Sequence, residues 1–352
     1  MPNFYSTLRR FAMTALLSGG GLLAAQAQNL SQPLTGATNV AGTYTDLGTA
    51  GTVITTANFD DANSAAQDIG FPFSFNGTIF TQFVFNTNGV IRMGSAAPST
   101  AALHIDGTGT DVVQSLAAAD VNLIMPFNVD LVSGTGGAEY RVATTGTAGS
   151  RVCTIQWKNV ADKTYSTNPQ QYASFSFQLK LYEGPGTIEF VYGTATASTA
   201  ATSPRFGNVG LKGSGIATNQ LLLAFKTNTA AWSATTFQNT AYGPAGTHDF
   251  DKSALPTAGR TYRFTDPTYC VSLPVSVYPY TQNFDGVTAP ILPCGITVID
   301  ANSDGVMWNN LSSTTYASST PNTMRYTGGS VAANDWFFSN PLTMTAGQSY
   351  QL

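Results

Sequence analysis

Hydrophobic and polar residues alternate along much of the chain, and the alternation has a period of two. The stretch FPFSFNGTIFTQFVFNTNGVIRMG, at residues 71–94, is the clearest example. A period of two is typical of a strand with one buried face. Asn-Gly pairs at positions 76–77 and 88–89 predict turns between strands, because both residue types tolerate positive φ. The pattern therefore predicts paired strands around a core of aromatic side chains that includes Phe71, Phe73 and Phe75.

The same pattern continues downstream in RVCTIQWKNV (residues 151–160) and SFSFQLKLYEGPGTIEFVYG (residues 174–193). In the second stretch the turn at residues 183–186 separates two alternating runs, which predicts an antiparallel hairpin. Helical periodicity is almost absent. Short strands joined by glycine-rich turns predict an all-β protein, and we expect one antiparallel β-sandwich over residues 30–265.

A change in composition marks the end of this domain. Residues 266–280, DPTYCVSLPVSVYPY, contain three prolines and no glycine, which is typical of an extended linker. Strand-like segments follow this linker, and the pattern predicts that the chain ends at Leu352 in the middle of a strand. We therefore expect a second β domain over residues 281–352 whose C-terminal part is missing.

The N-terminus has the three parts of a secretory signal peptide. Arg9 and Arg10 precede an apolar run at residues 11–23, and the sequence Ala-Gln-Ala follows at residues 25–27. This order predicts a signal peptide over residues 1–27, with cleavage before Gln28. A membrane anchor would need about 20 apolar residues, and this run is shorter. We expect a protein that is secreted or held on the outer cell surface, with no transmembrane span in the mature chain.

Composition agrees with export and argues against nucleic-acid binding. Charged residues make up 10% of the chain and the net charge is −4, whereas about a quarter of the residues in a soluble domain are usually charged. The 15 Lys and Arg residues are spread thinly along the chain. They therefore form no basic stripe of the kind that binds nucleic acid.

The three cysteines are expected to differ in state. Cys153 lies on the apolar face of a predicted strand, which indicates a buried free thiol. Cys270 and Cys294 flank the domain junction, and export makes a disulfide between them chemically possible. Such a bond would stabilise the fold by about 3 kcal/mol. Both the bonded and the free state of this pair stay open, because the sequence does not show their geometry.

Residues 300–305, DANSDG, place three oxygen-bearing side chains ahead of a glycine, namely Asp300, Asn302 and Asp304. Closely spaced oxygen donors followed by glycine are the pattern with which a loop wraps calcium. An EF-hand would also need an acidic residue where this chain has Leu311, so we exclude that motif. We predict a shorter loop that binds structural calcium and is completed by Asp335 or Asp285. The alternative is an Asx-rich turn without metal.

Candidate catalytic residues are few. His104 and His248 are the only histidines and lack metal-ligand spacing, so we expect both to lie in loops or on the surface. Asp120 and Asp130 bracket the segment VNLIMPFNV and could form the carboxylate pair that a glycosidase needs. The Gly-Ser-Gly sequence at residues 213–215 lacks the spacing of a serine-hydrolase elbow. We assign no catalytic and no cofactor-binding residue, and expect that the protein is not an enzyme.

Four segments of the first domain are IGFPFSFNGTIFTQFVFNTNGVIRMG, LIMPFNVDL, RVCTIQWKNV and FSFQLKLYEGPGTIEFVYG. Together they resemble an N-terminal β-sandwich module of bacterial secreted and cell-surface proteins with a nidogen-like pattern. One departure lies at Asn128 and Val129, where such modules often carry an aromatic residue and a second acid. The resemblance implies an extracellular β-sandwich.

Segments of the second domain are QNFDG, DANSDGVMW and NDWFFSNPLTMTAGQSYQL. They resemble the first part of the cleaved-adhesin domain of gingipain-type haemagglutinin regions, a jelly roll related in pattern to MAM domains. The resemblance implies a truncated jelly-roll β-sandwich, a role in adhesion, and structural calcium near Asp300 to Asp304. It also implies export by the type IX secretion machinery.

The function expected from these observations is that of a non-catalytic, secreted or cell-surface adhesion protein that binds an extracellular carbohydrate or protein. Exposed aromatic residues would stack on sugar rings, and Trp232, Trp308 and Tyr316 are the candidates unless they are buried. The alternative is an accessory binding region of an exported protease or glycosidase whose catalytic domain is absent from this chain.

Overall fold

The computed structural model describes residues 30–105, 112–240, 247–266, 274–302, 305–329 and 332–351. Strands account for 41% of the chain and helices for 3%. The helical residues form three short 3-10 turns, at Leu34–Gly36, Thr218–Gln220 and Trp232–Ala234. Every ladder between the described strands is antiparallel. The prediction of an all-β, antiparallel protein is confirmed.

The first sheet has eight strands: β1 (Ala37–Ala41), β2 (Thr52–Val53), β7 (Leu131–Ser133), β8 (Glu139–Thr145), β9 (Val152–Asp162), β10 (Tyr172–Tyr182), β11 (Ile188–Ala197) and β15 (Arg260–Phe264). Their order across the sheet is β1-β15-β11-β10-β9-β8-β2, and β7 pairs with the end of β9. The predicted hairpin is present, because β10 pairs with β11 from Leu181 opposite Ile188 to Tyr172 opposite Ala197.

The second sheet has seven strands: β3 (Asn63–Phe75), β4 (Thr78–Asn86), β5 (Val90–Met93), β6 (Leu123–Asn128), β12 (Asn208–Lys212), β13 (Leu221–Phe225) and β14 (Thr236–Gln238). Their order is β14-β13-β12-β6-β5-β4-β3. The stretch of residues 71–94 therefore contributes three neighbouring strands. Its early phenylalanines are buried, which confirms the predicted core positions Phe71, Phe73 and Phe75.

The two sheets face each other across an aromatic core. The ring of Trp157 on β9 stacks on Phe85 of β4, with ring centroids 4.5 Å apart. The Trp157 indole also donates a hydrogen bond of 3.1 Å to the carbonyl oxygen of Asn86. On a neighbouring strand pair, Phe127 of β6 meets Phe175 of β10 edge-on at 5.1 Å. Buried aromatic rings therefore fill the space between the sheets of a sandwich.

The turn between β4 and β5 requires glycine at residue 89. Gly89 has a φ of 70°, a conformation that glycine adopts without strain. A Cβ atom at this position would lie 1.9 Å from the carbonyl oxygen of Phe127. This close approach of two backbones fixes the position of the preceding residue, Asn88.

The cysteines agree in part with prediction. Cys153 is buried and free, as predicted, and burial raises the pKa of its thiol to about 12. Cys294 is disulfide-bonded, whereas Cys270 lies outside the described residues. The pairing of Cys270 with Cys294 therefore stays a prediction.

After the sandwich, four strands form two separate ladders: β16 (Thr297–Asp300), β17 (Trp308–Ser312), β18 (Asn322–Tyr326) and β19 (Asp335–Phe338). β16 pairs with β19, and β17 pairs with β18. The domain limits and the jelly-roll topology of residues 281–352 stay predictions. The predicted signal peptide, residues 1–27, lies outside the described residues. Within the described ranges, no helix has both the length and the apolar character needed to cross a membrane.

Candidate functional site

Loops from both sheets bring polar side chains together at one end of the sandwich. Asp61 lies just before β3, Asn88 lies in the β4–β5 turn, and His104 lies in the irregular segment after β5. Asp130 lies between β6 and β7, and Lys163 directly follows β9. These strand ends are neighbours in space because β4, β5 and β6 are adjacent in one sheet and β9 faces them from the other.

Three of these residues form a group with the composition of a metal site. Asp61, His104 and Asp130 each offer one potential ligand atom, and the three atoms lie within 4.8 Å of one another. The Nε2 atom of His104 is 3.6 Å from the Oδ2 atom of Asp130. His104 and Asp130 are buried and Asp61 is half-buried. One imidazole and two carboxylates are a donor set that suits divalent metal ions.

Two buried asparagines position this group. The side-chain amide of Asn88 donates to Asp61 Oδ1 at 2.8 Å, and its carbonyl oxygen accepts from the Leu131 backbone at 2.8 Å. The side-chain amide of Asn128 donates to the backbone carbonyls of Asn88 (2.8 Å) and Leu103 (2.6 Å). The asparagines thus tie the segments that carry Asp61, His104 and Asp130 to the end of the second sheet.

A lysine and a tyrosine flank Asp130. The ammonium group of Lys163 lies 2.7 Å from Asp60 Oδ2 and 3.8 Å from Asp130 Oδ2. The Tyr165 hydroxyl donates a hydrogen bond to Asp130 Oδ2. The Oδ1 atom of Asp130 is buried and has no hydrogen-bond partner among the described residues. Burial raises the pKa of Asp130, and the hydrogen bond from Tyr165 and the charges of His104 and Lys163 oppose that rise.

A buried ion pair holds the segment that carries Lys163 and Tyr165. Arg205 Nη1 lies 3.0 Å from Asp162 Oδ2, and both side chains are almost fully buried. The same nitrogen donates to the Lys163 carbonyl at 2.9 Å, and the guanidinium lies over the Tyr165 ring at 5.8 Å. Burial raises the pKa of Asp162, while backbone hydrogen bonds from Tyr172 and Gln171 and the charge of Arg205 oppose that rise.

The structure separates the two acids that were considered as a pair, and it buries both histidines, for which a loop or surface position was expected. Asp120 and Asp130 do not pair, because Asp120 accepts hydrogen bonds from the Ser99 backbone (2.9 Å) and the Ser115 hydroxyl (2.6 Å) at the other end of β6. The expectation of a surface position fails for both histidines, which are buried. His104 does lie in a loop. His248 contacts the Tyr262 hydroxyl at 2.9 Å.

The predicted calcium residues are partly brought together. Asp300 on β16 stands directly opposite Asp335 on β19. Asp300 Oδ2 accepts a hydrogen bond of 2.8 Å from the Gly305 backbone, as in an Asx-rich turn, and the Asn302 side chain donates to the Ala332 carbonyl at 3.1 Å. Both carboxylate oxygens of Asp335 are buried and accept no hydrogen bond within the described part of the chain.

The other two acids considered as calcium ligands are Asp304 and Asp285. Asp304 lies outside the described residues. Asp285 Oδ1 accepts a hydrogen bond of 3.1 Å from the Asn322 backbone, at the start of β18. Calcium binding stays a prediction, and of the two acids expected to complete the loop, Asp335 is the one that faces Asp300.

The candidate sugar-stacking residues differ in exposure. Trp232 is buried in the sandwich core, Trp308 is half-buried, and Tyr316 is exposed beneath the Arg325 guanidinium, which lies 4.4 Å from its ring centroid. Two aromatic residues that the sequence analysis did not single out are also exposed. Trp336 is 56% exposed and Phe338 is 45% exposed, and their rings stack at 6.5 Å.

Comparison with known proteins identifies the family to which the β-sandwich belongs. No curated protein and no solved structure is significantly similar to the chain. Residues 36–267, which are more than half of the chain, match the NIDO-related domain family. The match includes all fifteen strands of the two large sheets and the Asp61–His104–Asp130 group. The chain therefore belongs to the NIDO-related, or nidogen-related, family.

Proposed function

We propose that the chain is a non-catalytic adhesion or binding module that works outside the cell, in secreted form or on the cell surface. The family match over residues 36–267 carries this proposal, because a nidogen-related domain suggests an extracellular type of binding module. The low content of charged residues, 10% of the chain, supports the same environment. The expected ligand is an extracellular carbohydrate or protein.

The exposed face of the β16–β19 ladder is the surface that we assign to ligand binding. Ile299 is opposite Trp336 in the ladder, so their side chains and that of Phe338, two residues further along, lie on one face. All three are exposed. Phe337 points to the opposite face, where it packs on Phe284 and Trp308 at about 6 Å. Exposed aromatic groups of this kind mark surfaces that bind other molecules.

The test uses the mature protein on a glycan array and against a panel of extracellular-matrix proteins. We expect binding that falls at least tenfold when Trp336 and Phe338 are both changed to alanine. Phe206→Ala is the matched control, since Phe206 is 47% exposed and lies outside this ladder. No binding to either class of ligand would contradict the proposal. Protease or glycosidase activity of the exported polypeptide would favour an accessory role in a hydrolase instead.

We further propose that Asp300, Asn302, Asp304 and Asp335 bind one structural calcium ion. The two buried oxygens of Asp335 support this, because a buried carboxylate oxygen without a donor is unfavourable and calcium prefers carboxylate ligands. Calcium should raise the melting temperature of the wild type, since a ligand of the native state stabilises it. Asp335→Asn should abolish the rise. An unchanged melting temperature in excess chelator would contradict the site.

Export is proposed on the sequence of residues 1–27 and on the likeness to gingipain-type cleaved-adhesin domains. The mature N-terminus should be Gln28, which N-terminal sequencing of the exported protein will check. Retention of the protein in the periplasm of a host strain that lacks the type IX secretion machinery would support this route. Normal export by such a strain would contradict it.

A further inference from the structure

We propose that Asp61, His104 and Asp130 form a binding site for one divalent transition-metal ion, with zinc as the expected occupant. The metal would hold together three loops at one end of the sandwich. This site is separate from the calcium loop at Asp300 and does not depend on the proposed adhesive function.

The first support is the orientation of the His104 ring. Its Nδ1 atom lies 3.3 Å from the carbonyl oxygen of Ile105. A carbonyl oxygen can only accept, so Nδ1 carries the proton of this contact. The other nitrogen, Nε2, is then the one available to bind a metal, and it lies 3.6 Å from Asp130 Oδ2. A ligating histidine typically donates its second ring N–H to a carbonyl in this way.

The distance between these two atoms also suits a shared metal ion. With metal–ligand bonds of about 2.1 Å, two ligands of a tetrahedral zinc ion lie about 3.4 Å apart. The His104–Asp130 separation of 3.6 Å is close to this value. Asp61 completes the group, because its ligand atom also lies within 4.8 Å of the other two.

The second support is the unsatisfied Oδ1 atom of Asp130. This residue is only 2% exposed, and Oδ1 accepts no hydrogen bond within the described part of the chain. A buried carboxylate oxygen without a hydrogen-bond partner is unfavourable, even when the other oxygen is paired. A metal ion bound by both oxygens of the carboxylate would supply the missing partner, whereas the contact with His104 engages only Oδ2.

The third support is the balance of charge. Asp60, Asp61 and Asp130 bring three negative charges, and Lys163 brings one positive charge. These four side chains together carry a formal charge of −2. Lys163 is held at 2.7 Å by Asp60 and stays 3.8 Å from Asp130, which is too long for a hydrogen bond. One divalent ion would neutralise the group.

The test is a metal titration of the purified, chelator-treated mature protein, with metal content measured by mass spectrometry. We expect one equivalent of zinc, and cobalt as a spectroscopic probe should give visible absorption bands from a nitrogen- and oxygen-ligated site. Asp61→Asn and His104→Gln should lose stoichiometric zinc and the cobalt bands. Asn88→Ala, which removes the hydrogen bond to Asp61, should weaken zinc binding by about 10- to 100-fold.

Two matched controls keep the result interpretable. Asp120→Asn changes a buried, hydrogen-bonded acid at the other end of β6 and should leave zinc binding intact. Asp335→Asn removes a proposed calcium ligand and should also leave zinc binding intact. If Asp61→Asn and His104→Gln are folded by circular dichroism and bind zinc like the wild type, the site is refuted. Zinc binding that is lost only in Asp335→Asn would refute it equally.

Discussion

The sandwich and the ladders that follow it use the same alternation of apolar and polar residues but cover their apolar faces differently. In the sandwich, Trp157 and Phe85 are fully buried because the second sheet supplies the opposite wall. In the β16–β19 ladder, Phe337 packs on neighbouring aromatic rings while Trp336 and Phe338 face outward. The comparison shows that alternation defines which face is apolar, whereas burial requires a second layer to cover it.

The largest effect is expected from shortening one tryptophan in each region. Trp157→Ala should lower the free energy of unfolding by about 3–5 kcal/mol, because it leaves a cavity between two sheets. Trp336→Ala should change it by about 0.5 kcal/mol or less, as exposed substitutions usually do. Urea unfolding followed by circular dichroism measures both. Equal losses in the two variants would break the comparison, since they would mean that both rings are buried in solution.

A smaller effect is expected from adding a methyl group to a turn in each region. Gly89→Ala in the sandwich places a Cβ atom against the Phe127 carbonyl oxygen, whereas Gly347→Ala meets no atom within 4 Å. Both glycines have positive φ, at 70° and 83°, so both variants lose about 1–2 kcal/mol from backbone strain. Gly89→Ala should lose more stability than the control variant Gly347→Ala, because its added methyl group also clashes with the Phe127 carbonyl oxygen.

The same urea titration compares these two glycine variants. Gly89 also directly follows Asn88, whose side-chain amide donates a hydrogen bond to Asp61. If Gly89→Ala and Gly347→Ala lose the same stability, the backbone at Phe127 must move away from the added methyl group at no measurable cost. The sandwich would then be no more tightly constrained than the ladders.

The smallest effect concerns a charged contact on the surface of the sandwich. A hydrogen bond from Arg151 lowers the pKa of Glu183 to about 2 from an ordinary value of 4.5, and the two side chains are 2.5 Å apart. Since the native pKa is depressed, the pair stabilises the fold above about pH 4.5, and this contribution is lost as the pH falls towards 2. Glu183→Gln should remove about 0.5–1 kcal/mol at pH 6.

The measurement for Glu183→Gln is unfolding free energy at pH 6 and pH 2.5, repeated in an Arg151→Gln background. The difference between wild type and variant should shrink at the lower pH and in the absence of Arg151. A difference in unfolding free energy that is independent of both pH and Arg151 would show that the ion pair contributes nothing to stability. The aromatic core alone would then distinguish the sandwich from the ladders.

The alternation of residues predicted most of the fold but not the candidate metal site. Phe71, Phe73 and Phe75 were predictable as core because their environment follows from a local period of two. Asp61, His104 and Asp130 lie in three different loops, and the order of strands in the sheets brings them together. A single sequence does not contain that order in any local pattern. The available signals were the asparagines in NTNG and PFNVD, which position the loops.

For His248, the local composition predicted the wrong degree of burial. Its glycine-, aspartate- and alanine-rich surroundings indicated a loop or surface position, yet it is fully buried against Trp232 and Tyr262. Burial lowers the pKa of His248, so it is a neutral member of the core. Local composition described the backbone around it but not the tertiary packing, which is decided by contacts far away in sequence.

The burial of Cys153 has a consequence for the export that we propose. An unpaired cysteine in an exported protein normally invites crosslinking between molecules or exchange with existing disulfides. The thiolate is the reactive form, and with a pKa of about 12 very little of it exists at neutral pH. Packing thus protects this residue chemically, and its reaction with a thiol reagent would report each opening of the sandwich.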